Sequence, residues 1–209
     1  MNKKIMIIGA GGHGKVIADI AKKNGYTDIS FLDDNTSVTK CNGYPVIGTC
    51  QEANRYMDHD FIVAIGNSQV RQKVQADLSQ VGVYITTLIH PDAVIGEHVV
   101  LGEGTVIMAG VVVNPCSRIG RGCIINTCAS VDHDCIINDY AHISVGAHVA
   151  GTVTVGERTW IGAGATVINN IEITNDCMIG AGAVVIHSLT ESDTYIGIPA
   201  RKVVHRGDI

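Results

Sequence analysis

The chain has 209 residues, 46% hydrophobic and 17% charged, a balance that indicates a packed protein and excludes a disordered one. A formal net charge of −5 without any basic run argues against nucleic acid or anionic membrane as a partner. Aromatic residues make up only 4% while glycines number 24, so the core is expected to come from small side chains stacked on a regular backbone.

The chain opens with two lysines and an apolar run of four residues, Ile5–Ile8, too short for a secretory signal. No later segment approaches the ~18 apolar residues of a membrane span. Ile5–Ile8 instead reads as a buried strand, followed by the glycine-rich turn Gly9-Ala10-Gly11-Gly12-His13-Gly14. Lys15–Lys23 carries Val16, Ile17, Ile20 and Ala21 at helical spacing. Ile29–Leu32 predicts a second strand ending at Asp33-Asp34. Phe61–Ile65 predicts a third that runs into Gly66-Asn67, Gln69–Leu78 a helix, and Ile85–Ile89 a fourth strand. This alternation implies a Rossmann-like α/β domain over residues 1–90.

Gly9-x-Gly11-x-x-Gly14, with Asp33 some way on, fits a dinucleotide fingerprint. Glycines let the backbone approach a diphosphate, and the amides at a helix start face its charge. That mechanism does not choose the nucleotide, and two other readings stand beside it: an NAD-dependent protein, or a purely structural turn.

From Ile95 to Val184 a six-residue period runs without a break through fifteen hexads. Every first position is aliphatic, from Ile95 and Leu101 to Ile173 and Ile179, and nearly every fifth position is small. Glycine recurs at the second position, as at Gly96, Gly102, Gly120 and Gly156. Each hexad predicts a short strand and a turn, and three hexads make one coil of a triangular solenoid whose coils stack at ~4.8 Å. Residues 91–209 are thus a β-helix domain with a tail, and its flat faces suit a trimer. The seven cysteines are odd in number and lack C-x-x-C spacing, which predicts reduced thiols in a cytoplasmic protein. Cys123, Cys135 and Cys177 occupy fifth positions and are read as buried small hydrophobes.

Among the nine histidines, His133 lies at the third, outward-facing position of its hexad, between Asp132 and Asp134. Two carboxylates there would orient the imidazole and stabilise its cation, as a general base requires; the alternative is a solvated surface histidine. His90 is read as positioning the interdomain connection, and His98, His148 and His187 as surface residues. No pair of histidines has metal-site spacing, so no metal is expected.

Taken together, GAGGHG, FLDD, AIGN, HPDA, the hexads and the closing YIGIPAR resemble the hexapeptide-repeat sugar acetyltransferases of bacterial surface glycan synthesis. These are the nucleotide-4-amino-sugar N-acetyltransferases and the sialic acid O-acetyltransferases. The resemblance implies a left-handed parallel β-helix, acetyl-CoA as co-substrate, and direct transfer to a UDP-4-amino-4,6-dideoxysugar, with O-acetylation of a sialic acid as the alternative acceptor chemistry. It carries the base onto His133 and the orienting acid onto Asp134, where the family usually has Glu. It places His142 at the thioester carbonyl and Asn126 by the acceptor amine. Backbone at Gly151, Ala163 and Ala181 would meet the pantetheine, and Arg201 and Lys202 the phosphates of coenzyme A. Gly11, Gly12, His13, Asp33, Asp34, Ile65, Gly66 and Asn67 would hold the sugar nucleotide. His133 and His142 are half a coil apart, so a shared site would straddle two subunits of a homotrimer.

Overall fold

The computed structural model describes residues 3–203 and divides into two compact units, one ending at Pro91 and the other starting at Asp92. In the first unit β1 (Lys4–Ile8), α1 (Gly12–Lys23), β2 (Asp28–Leu32), β3 (Lys40–Cys41), β4 (Tyr44–Gly48), β5 (Asp60–Val63), α2 (Ser68–Val81) and β6 (Tyr84–Ile85) follow in chain order, with a short 3-10 helix at Cys50–Arg55. The sheet order is β3-β4-β2-β1-β5-β6, with β1 parallel to both β2 and β5. Ile5, Met6, Ile7 and Ile8 are all 0% exposed, which is why this central strand is a continuous apolar run instead of an alternating one.

This unit departs from the sequence reading in several places, the third strand ending at Val63 instead of Ile65 and α2 running on to Val81. Helix α1 begins at Gly12, three residues before the expected Lys15. The expected strand Ile85–Ile89 is two short strands, Tyr84–Ile85 and Leu88–Ile89. Between them the Thr86 N–H still reaches the Phe61 carbonyl at 2.8 Å, but Thr87 leaves the ladder. The hairpin β3–β4 was not expected at all. Its turn is Asn42-Gly43, with φ of 50° and 84°, the two-residue turn that Asn-Gly favours.

The second unit is a hexapeptide-repeat left-handed β-helix. Two-residue strands stack into three parallel sheets. One runs Val106–Ile107, Ile124–Ile125, His142–Ile143, Trp160–Ile161 and Met178–Ile179. The second runs Val94–Ile95, Val112–Val113, Ser130–Val131, His148–Val149, Thr166–Val167 and Val184–Val185. The third runs from Val100–Leu101 to Glu172–Ile173. Partners are 18 residues apart, one coil of three hexads. The second residue of each strand is the aliphatic first position, and from Ile107 to Ile179 all of these are buried.

The corners obey a rule beyond the aliphatic period. Every fourth position has positive φ, whether glycine (Gly104, Gly122, Gly146) or not (Cys116 64°, Asp134 57°, Thr152 59°). The fifth-position N–H of several hexads bonds the second-position carbonyl, as from Ala129 to Asn126 at 3.0 Å, which closes a turn with its left-handed residue third.

Candidate active site

At the C-terminal end of β1 the chain turns through Gly9, and α1 starts at Gly12 with Gly11 as its N-cap and no acidic residue in its first turn. The first amides therefore meet no carboxylate of their own helix, a setting suited to an anion. His13 lies in this first turn. Its Nε2 is buried without a hydrogen-bond partner, and burial, helped by the Arg71 charge, pushes its pKa down to about 4. Arg71 is itself buried, and its Nη1 donates to the Ile65 and Gly66 carbonyls at 2.8 and 2.7 Å. The other expected nucleotide residues already carry structural bonds. Asp33 Oδ2 accepts the Ala10 N–H at 2.6 Å, Asp34 Oδ1 the Cys50 N–H at 3.0 Å, and Asn67 Oδ1, the cap of α2, the Val70 N–H at 3.0 Å.

In the β-helix His133 and Asp134 occupy the corner that follows strand Ser130–Val131. His133 Nδ1 donates to Asp134 Oδ2 at 2.7 Å, and the two side chains are 57% and 58% exposed. Asp134 has the left-handed backbone of its corner, and its side chain, one methylene shorter than Glu, reaches the ring. With Nδ1 as donor, the neutral ring keeps its lone pair on Nε2, the tautomer that a base needs. The bond to Asp134 raises the His133 pKa, and the Asp132 charge adds to it. Asp132 accepts the His133 backbone N–H at 2.8 Å and the Asn114 Nδ2–H at 2.7 Å.

His142 lies on a different face, in strand His142–Ile143, and is 7% exposed. Asn126 Nδ2 donates to its Nε2 at 3.1 Å, and Trp160, one coil on, packs on the ring with centroids 4.5 Å apart. The structure thus groups His133, Asp134 and Gly151 at one corner and Asn126 with His142 on another face. Ala163 and Ala181 are exposed and one coil apart, with the Gly182 N–H bonded to the Ala163 carbonyl at 2.8 Å. Arg201 and Lys202 form a strand antiparallel to Tyr195–Ile196. Lys202 Nζ is held by Glu191 at 2.8 Å and Asp193 at 3.0 Å, so its charge is already matched.

Asn114 and Trp160 escaped the sequence reading. Both stand 18 residues from a residue it did single out, Asp132 and His142, so the coil stride was the signal that would have found them. Among the described residues no group of three His, Cys, Asp or Glu side chains is placed to hold a metal ion. No helix there is long and apolar enough to cross a membrane.

Residues 4–78 match the PglD N-terminal domain family, and residues 152–187 match the bacterial transferase hexapeptide (six repeats) family. The chain is 32% identical to the GDP-perosamine N-acetyltransferase of Escherichia coli O157:H7 over 162 residues, covering 74% of this chain and 73% of that one. It is 38% identical to the UDP-N-acetylbacillosamine N-acetyltransferase of Bacillus subtilis over 112 residues, 51% of this chain and 52% of the relative. The acetyltransferase domain of PglB from Neisseria gonorrhoeae, solved with acetyl coenzyme A, superposes with a TM-score of 0.93 at 40% identity, covering 97% of this chain and 100% of that one.

Proposed function

Because the chain belongs to the hexapeptide-repeat sugar-nucleotide N-acetyltransferases, acetyl-CoA-dependent enzymes, we propose that it acetylates the amine of a UDP-4-amino-4,6-dideoxysugar with His133 as the base. The observation that carries the base assignment is the exposed His133 ring, fixed through Nδ1 by Asp134 and presenting Nε2. In this reading the acceptor nitrogen attacks the thioester carbonyl and gives its proton to Nε2, while the thiolate of coenzyme A departs. His133 then passes that proton to the departing thiolate, and because the acetyl group goes straight from sulfur to nitrogen no acyl-enzyme forms. A neutral amine is already nucleophilic, and one positioned histidine suffices. Asp134 orients the ring and stabilises the imidazolium, and Asn126 and His142 line the acceptor and thioester side.

Acetyl-CoA supplies the activated acetyl group. The small exposed side chains of Ala163 and Ala181 leave room beside successive coils for a narrow pantetheine arm, and Arg201 stands near the tail for a phosphate. In the first unit the helix start at Gly11-Gly12 would take the diphosphate. His13, neutral at working pH, lies buried in that first turn with its Nε2 unpartnered. The loop Ile65-Gly66-Asn67 and the Asp33-Asp34 segment flank that turn in the proposed nucleotide site. The B. subtilis relative is named for a UDP-linked sugar and the E. coli relative for a GDP-linked one, so the uridine rests on the resemblance of the motifs and is what the panel below tests.

The test is acetyl transfer to a panel of UDP- and GDP-linked 4-amino-4,6-dideoxysugars and free sialic acid, read by coenzyme A release and product mass. An N-acetylated UDP sugar as the fastest product is expected. Faster turnover of the GDP-linked amine would overturn the uridine assignment, and acetylation of sialic acid alone would overturn the amine.

A further inference from the structure

We infer that Gly151 is a positioning residue for His133, the empty place of its side chain being the space in which the imidazole lies. The inference rests on the reading of His133 as base and adds a requirement to it. Gly151 stands one coil beyond His133 at the same corner. A Cβ on it would lie 2.6 Å from His133 Nε2, 2.7 Å from Cε1 and 3.2 Å from Cδ2, and these are its three nearest atoms.

The other glycines of the repeat answer different demands. Fourth-position glycines such as Gly146 have positive φ, whereas Gly151 does not. Gly96, Gly102, Gly120 and Gly156 would each drive a Cβ into backbone of the following coil. At Gly151 the obstacle is one side chain, the imidazole itself.

Neither backbone is free to give way. The Thr152 N–H bonds the His133 carbonyl at 2.9 Å, and the Gly151 carbonyl accepts the Asn170 N–H at 3.1 Å. The ring is the part that must move, and a shift away from residue 151 pulls Nδ1 against its bond to Asp134. The ring is therefore located twice, by a bond at Nδ1 and by the cleared space at Nε2. An alanine at 151 closes that space and displaces the ring from the position in which Asp134 holds it. This role differs from a contact between the Gly151 backbone and coenzyme A, which an alanine would leave largely in place.

The experiment is Gly151→Ala, alone and with His133→Ala, read by steady-state kinetics, pH profile and thermal melting. We expect kcat to fall tenfold or more, in keeping with the roughly hundredfold cost of a ~1 Å misplacement, with the acetyl-CoA KM within about twofold. The acid limb of kcat/KM should move down, because Asp134 no longer holds the ring. Gly151→Ala should also lower the melting temperature when residue 133 is His but not when it is Ala. Unchanged kcat, or a raised acetyl-CoA KM with kcat retained, overturns the inference. So does equal destabilisation in both backgrounds, a readout available even if the single variant folds too poorly to assay. Full turnover by His133→Ala alone would instead remove the base assignment, leaving the melting comparison to stand on its own.

Discussion

His133 sits between two carboxylates that act on it differently. Asp134 bonds its ring at 2.7 Å, while Asp132 bonds its backbone amide and is in turn tied to Asn114. The Asp134 bond lifts the imidazole above its ordinary 6.5, so the ring stays protonated to a higher pH than a free histidine. A base must be unprotonated. Activity should therefore be lost as pH falls through a value above 6.5, and Asp134→Asn should move that limb downward while reducing kcat on the alkaline plateau. A kcat/KM profile of both proteins checks this, and an unmoved limb in the variant would separate Asp134 from the titration. At this scale the sequence was legible where a residue type announces chemistry: a histidine between aspartates, or a glycine turn after a strand. It was opaque where a residue matters through a neighbour one coil away. Asn114, Trp160 and the contact of Gly151 with His133 become visible only once residues 18 apart are stacked.

The repeating element makes the same point about geometry. Fifteen aliphatic first positions were enough to predict the strands and their inward faces, because a period of six survives any choice among Ile, Val and Leu. The left-handed fourth position was harder to see, since nine of its fifteen residues are not glycine and Thr152 is even β-branched. Coil stacking overrides the local preference there, at a cost of about 1–2 kcal/mol for a non-glycine residue. The second-position glycines were seen as a pattern without a cause. The cause is close approach: a Cβ on Gly120 would come within 2.6 Å of the Asp139 amide nitrogen in the next coil. Gly120→Ala should accordingly destabilise the protein by about 1–3 kcal/mol, measurable by urea unfolding, although its φ would suit alanine. In the first unit the Asn42-Gly43 hairpin signal was present but embedded in a polar stretch containing Pro45, which masks short edge strands.

For the whole molecule, each coil of the second unit bonds only to its immediate neighbours, so it behaves as a one-dimensional stack with two ends. The two histidine groups lie on different faces of that stack, and we propose that a homotrimer completes each site with His133 from one subunit and His142 from the next. Mixing the separately inactive His133→Ala and His142→Ala proteins under conditions that exchange subunits should then restore activity, to about a quarter of the wild-type sites if assortment is random. No recovery would place both histidines of a working site in one chain.

The same stack sorts the thiols. Cys123, Cys135 and Cys177 are sealed between coils, where burial raises the Cys135 and Cys177 pKa, while Cys116 and Cys128 stand exposed at corners. Within this unit an alkylating reagent thus meets two populations, one open to it at once and one that reacts only when neighbouring rungs part. The lag between them is a clock for the breathing of the prism.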